Sequence, residues 1–137
     1  MDVSPDSTQR RRMVISTSPG NVSATVDHLR QLLESRKIQV LAVIDHGGGA
    51  RHAGLELHDE MVVVFGDPAV GTALMQDRAL VGYELPLRML VWDDAGTTKV
   101  AFRDPDALVE EYDLTTSEPT VERLGRLLRS LAAELAS

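Results

Sequence analysis

Residues 44–75 read IDHGGGARHAGLELHDEMVVVFGDPAVGTALM, and their reading decides the fold. Polar and glycine-rich residues interrupt two apolar runs here and set Asp45, His46, His52 and Asp67 at strand ends. Loops held by a rigid scaffold are where sites concentrate. The first run, residues 38–44, is nearly all apolar and predicts a central strand buried on both faces. Gly47-Gly48-Gly49 then predicts a break in regular structure, since glycine permits positive φ. Residues 55–58 alternate like a half-exposed strand or its lead-in, and residues 60–65 form a strand rich in valine. Asp67-Pro68 predicts the start of a short helix reaching about residue 77: aspartate caps, and proline suits the first helical position.

Working outward, residues 13–17 read as a first strand and residues 18–21 as a turn. A helix over residues 23–36 follows, with Ser23 as its cap and Val26, Leu29, Leu32 and Leu33 as one apolar stripe. After a connection over residues 79–85 come a strand (86–92), a hairpin turn at Asp94-Ala95-Gly96 and its partner (98–102). Asp104-Pro105 repeats the Asp67-Pro68 device and opens a helix to about residue 112. Phe65-Gly66-Asp67-Pro68 and Phe102-Arg103-Asp104-Pro105 are read as independent uses of one good cap. The last helix, residues 120–136, carries Val121, Leu124, Leu128, Leu131 and Leu135 at spacings of three and four, with Leu127 widening the stripe. This order predicts an α+β domain: a mainly antiparallel, curved sheet of about five strands with helices packed on one face.

Composition bounds the function. A length of 137 residues implies one domain, here residues 13–137 after a disordered tail over residues 1–12. There is no cysteine, which removes disulfides, thiolate nucleophiles and Cys-ligated zinc and fits a reducing cytoplasm, the expected location. No apolar run approaches the roughly 20 residues that span a bilayer, and the N-terminus lacks the apolar core of a secretory signal. Net charge is −7; residues 1–12 carry +1, leaving −8 on the remainder, which repels phosphate backbones. No nucleic-acid or membrane partner is expected. The triplet Arg10-Arg11-Arg12 is read as a solvated edge to the first strand, with contact to an anionic partner as the other reading.

Candidate chemistry is sparse. His46, His52 and His58 lie six apart, which matches no standard ligand spacing, so no metal and no cofactor is expected. His46 follows a strand and Asp45 and precedes three glycines; a histidine there can act as acid or base. The competing reading is that Asp45 or His46 only hydrogen-bonds the following loop. Neighbours in a strand point to opposite faces, so the two form no dyad unless the strand has already ended. Residues 66–72 lack the lysine a phosphate loop needs, and Asp67 is read chiefly as a structural cap. Glu84 and Arg88 point to one side if both are extended: Glu84 is either a general acid near His46 or a salt-bridge partner of Arg88. Phe65 and Met75 line a cleft or belong to the core.

Several of these residues carry a family likeness. Ile44-Asp45-His46, Ala53-Gly54-Leu55-Glu56-Leu57, Val64-Phe65-Gly66-Asp67-Pro68, Gly71-Thr72-Ala73-Leu74-Met75, Leu85-Pro86-Leu87-Arg88, Val91-Trp92-Asp93-Asp94 and Asp104-Pro105 occur in order. Together they resemble the bacterial and archaeal "domain of unknown function 302" family over roughly residues 13–135. The chain departs from that family's usual asparagine at Asp67, its usual aspartate at Glu84 and its alanine-rich segment at Gly47-Gly48-Gly49. The resemblance implies a TATA-box-binding-protein-like α+β architecture and a homodimer, without DNA binding, since fold does not carry function. The expectation is a homodimeric protein that binds a small ligand or a partner through Asp45, His46, Phe65, Asp67, Met75, Glu84 and Arg88. The alternative is an enzyme with His46 as general acid/base, assisted by Asp45 or Glu84.

Overall fold

The computed structural model describes residues 12–137; most of the expected tail, with Arg10 and Arg11, lies outside the described residues. Five strands, β1 (Met13–Ser18), β2 (Gln39–Asp45), β3 (Glu60–Gly66), β4 (Leu87–Asp94) and β5 (Thr97–Arg103), form one antiparallel sheet in the order β1-β5-β4-β3-β2. The helices are α1 (Val22–Ser35), α2 (His46–His52), α3 (Pro68–Asp77), α4 (Asp106–Glu111) and α5 (Glu118–Ala136), with a 3-10 turn at Ala79–Glu84 before β4. The α+β sheet-and-helix class read from the sequence is what the chain adopts.

One face of the sheet is sealed. Val63, Phe65, Met89, Val91, Val100 and Phe102 pack under Leu29 and Leu33 of α1 and Leu128, Leu131 and Leu135 of α5. These positions alternate along their strands, so the intervening residues face the other way. There the register lines up one apolar row across all five strands: Ile15 opposite Ala101, Ala101 opposite Leu90, Leu90 opposite Val62, Val62 opposite Ile44. Both ends of that row stay open, with Ile15 42% and Ile44 46% exposed.

Three local expectations need correction. β2 is an edge strand, not a central one. Its register shifts between Val40 and Ala42, and it owes its apolar character to facing two apolar surfaces, with Leu41 and Ile44 about half exposed. The glycine run does not break structure but forms α2. Asp45 caps it by accepting from the Gly48 amide at 2.8 Å, and a β-carbon on Gly48 would collide with that carboxylate. Helix α1 is capped by Asn21, whose Oδ1 accepts from the Ala24 amide at 2.8 Å, rather than by Ser23. The first Asp-Pro device matches as read; at the second, α4 begins one residue later than read, at Asp106, with Pro105 in the cap position and Asp104 just before it. Asp67 Oδ1 accepts from Ala69 N at 2.9 Å, and Asp104 Oδ1 from Asp106 N at 3.0 Å. The β4–β5 hairpin turns through Ala95 and Gly96, both at positive φ, as a two-residue turn of the primed kind requires.

A second, smaller core lies beyond the end of the sheet, where Leu74, Val81, Leu108, Leu114, Val121 and Leu124 meet. Asp77 clamps it. Its Oδ2 accepts from the amides of Thr115, Thr116 and Ser117, each at 2.9 Å, and from the Ser117 hydroxyl at 2.7 Å. The end of α3 is thereby tied to the loop that enters α5. The Ser117 hydroxyl bond does most to hold the Asp77 carboxyl far below its ordinary pKa; partial burial opposes it and the three amides reinforce it. A depressed folded pKa stabilises the fold above the unfolded value of about 3.9 and loses that contribution as pH falls below it. Asp77→Asn is therefore expected to lower the thermal midpoint at about pH 7 and to flatten its fall below about pH 4, measured by circular dichroism across a pH series.

Candidate functional site

The sequence-derived candidates separate into three places. The register sets Asp45 opposite Met61 at one end of β3 and Leu87 opposite Phe65 at the other. The Asp45–His46 corner and the segment holding Glu84 thus lie about 13 Å apart along the strand at the usual rise. His46 and Glu84 are not brought together. His46 is exposed and opens α2, and it makes no hydrogen bond or ion pair among the described residues. Asp45 ends its strand before His46 begins the helix, and its carboxylate is engaged by Gly48. His58 meets Glu60 at 2.6 Å, two residues along the chain. Among the described residues no three histidine, aspartate or glutamate side chains gather as a metal-ligand group.

Glu84 and Arg88 belong to a cleft of about 840 Å³. The β4–β5 ladder stops at Leu90 opposite Ala101, and these two residues line the cleft together with Arg88 of β4 and Arg103 of β5. Glu84 does not pair with Arg88. Its Oε1 accepts from Arg103 Nη1 at 3.0 Å and its Oε2 from the Tyr112 hydroxyl at 2.7 Å, while Arg103 also pairs with Glu111. Burial works to lower the Arg103 pKa, but the bonds and charges of Glu111 and Glu84 outweigh it and raise it. The Tyr112 phenol is likewise held above its usual pKa, first by its bond to Glu84 and then by desolvation. This cluster is cross-braced and charge-committed. Arg103, Glu111 and Tyr112 were not legible as partners of Glu84, because nothing in the sequence links residues 19 to 28 positions apart.

Phe65, Asp67 and Met75 do converge. They line a groove of about 390 Å³ formed where β3 ends and α3 begins, against the start of β4, Leu41 of β2 and Leu124 and Leu127 of α5. Phe65 is its fully buried floor and Met75 its rim, 41% exposed. The helix start fixes Asp67 at the mouth, because its Oδ1 is held by the Ala69 amide and Pro68 sets the first helical turn. Leu41, Leu124 and Leu127 were missed as site residues: each is a leucine in an apolar run and reads as core.

The segments that build this groove, residues 65–75 and 85–87, are also those that carry the family likeness. The family model described as "Domain of unknown function DUF302" matches residues 14–131. The chain belongs to this family. A crystal structure of an uncharacterized conserved DUF302 protein from Bacillus stearothermophilus superposes with a TM-score of 0.81 at 18% identity, covering 90% of this chain and 97% of that one. That likeness establishes the fold alone. Among curated proteins, a fluoride-specific ion channel FluC 1 of Brucella suis is 35% identical over 106 residues, 77% of this chain but 42% of the relative. FluC 1 of Brucella abortus and FluC 2 of Brucella melitensis match at the same identity, with 39% of each covered. The chain thus spans about two-fifths of the curated relatives it matches. Among its described residues, no helix is long and apolar enough to cross a membrane.

The geometry of the first corner yields a direct test. Asp45→Ala is expected to cost about 1 kcal/mol through the lost cap, whereas His46→Ala stays within about 0.5 kcal/mol of wild type, both read from urea midpoints.

Proposed function

We propose that this DUF302 domain binds a small, largely apolar ligand in the groove floored by Phe65 and gated by Asp67 and Met75. One observation carries the reading: a concavity of about 390 Å³, walled among the described residues almost wholly by apolar side chains, with one carboxylate, Asp67, held by the Ala69 amide. Small-molecule sites have this size and composition, with few polar groups that orient the ligand. The acid–base alternative is less well supported. It asks His46 to act with Glu84 at the other end of β3, or with Asp45, whose carboxylate already caps α2. Arg88, in the neighbouring cleft, remains a secondary contact in this reading.

We further infer a homodimer that meets through the uncovered face of the sheet. The support is the row Ile15, Ala101, Leu90, Val62 and Ile44, apolar across all five strands, with Ile15 and Ile44 exposed at its two ends. A two-fold axis would bring the same row from a second copy against it, the self-complementary arrangement of most homodimers. A reducing cytoplasm suits a chain without cysteine.

The names of the Brucella relatives raise fluoride as a ligand. Fluoride is a small, strongly hydrated anion that needs several hydrogen-bond donors to replace its water. Among the described residues, the only charged side chain in the groove wall is an aspartate, which repels it. We therefore do not assign fluoride to this groove.

Two measurements test the reading. The fluorescent probe 1-aminoanthracene should bind the wild-type protein in a saturable way. Gly71→Leu should abolish that binding without loss of thermal stability, because a β-carbon at Gly71 makes only ordinary contacts with Leu85 and Met75 while a longer side chain fills the groove. Undiminished binding in this variant would remove the groove as the site. In solution the wild type should have twice the 15.0 kDa mass of one chain by light scattering, and Ile44→Glu should return it to that mass. A monomeric wild type would end the dimer reading.

A further inference from the structure

The groove is apolar, yet it is not electrostatically neutral. Among the described residues, Asp67 is the only charged one in its wall, and no described lysine, arginine or histidine lines it. The cap geometry occupies one carboxylate oxygen and leaves the other. Oδ1 accepts from Ala69 N at 2.9 Å, and Oδ2 has no hydrogen-bond partner among the described residues. The side chain is thus held in place by its own helix, and Asp67 lines the groove together with Leu41, Met75 and Leu127.

Resting on the binding reading above, we propose that the groove selects a cationic amphiphile: an apolar chain or ring bearing one ammonium group. The apolar body covers the leucine and methionine wall and releases its water. The ammonium donates to Asp67 Oδ2, a charge-assisted bond stronger than one made by a neutral hydroxyl. A carboxylate on the same apolar body meets the opposite situation, with an anion at the mouth and no cationic side chain among the described residues of the wall to receive it. The net charge of −7 biases encounter in the same direction, favouring cations over anions at low salt.

A head-group series on one apolar chain tests this with the full-length protein. Hexylamine, hexanol and hexanoate compete with bound 1-aminoanthracene at neutral pH and low salt. Hexylamine is expected to displace the probe at about tenfold lower concentration than hexanol, and hexanoate to be the weakest of the three. Asp67→Asn keeps the cap, since asparagine caps as well as aspartate, and should bring hexylamine and hexanol to within about twofold. The proposal is overturned if hexanoate matches or exceeds hexylamine, or if the advantage of the amine survives in Asp67→Asn. Equal displacement by all three also overturns it, while leaving the groove as a site for apolar ligands. If neither the probe nor any of the three binds, the groove reading falls together with the proposal.

Discussion

The packing of α1 and α5 on a single face of the sheet governs the rest of the molecule. Strand side chains alternate, so sealing Val63, Phe65, Met89, Val91, Val100 and Phe102 under the leucines of those helices commits every intervening residue to the opposite face. The apolar row from Ile15 to Ile44 follows from that register and from nothing else. The third long element, α3, packs beyond the end of the sheet, against the 3-10 turn and α5. The groove is the space left between a helix that cannot join the main layer and the strand ends that layer exposes. Its floor, Phe65, is itself a member of the main core, so the site and the fold share a side chain.

Much of this was legible in the chain. The period of α5 and the two Asp-Pro starts are local signals, written within a few residues and read by rules that need no tertiary partner. The valine-rich β3 and the two-residue hairpin are of the same kind. β2 was misread for a physical reason: a continuous apolar run looks the same whether a strand is buried between two layers or lies at an edge with one apolar face uncovered. The glycine helix α2 was hidden because propensity argues against it, and it forms under the Asp45 cap with Gly47 packed near the backbone of His58 and Asp59. The Glu84–Arg103–Tyr112 cluster could not be read at all. Its members are distant in sequence, and their pairing depends on where the β4–β5 ladder stops.

Three aspartates accept from backbone amides at helix starts in this fold, and comparing them explains why only one is a candidate contact for a ligand. Asp104 holds the Asp106 amide and has a cation nearby, with Arg129 at 3.7 Å. Asp45 holds the Gly48 amide at a corner that lines neither cavity. Asp67 performs the same task for Ala69, with no cation paired to it among the described residues, and alone stands at the mouth of an apolar groove. Each carboxylate is held by an amide two or three residues on, so the difference lies in the surroundings: a partner cation compensates one charge, open solvent surrounds another, and the third borders a wall of leucine and methionine. A carboxylate beside apolar surface loses part of its hydration when a ligand covers that surface, and the loss is offset only if the ligand brings a donor. The same residue that starts the helix therefore also sets a condition on what can fill the groove beside it.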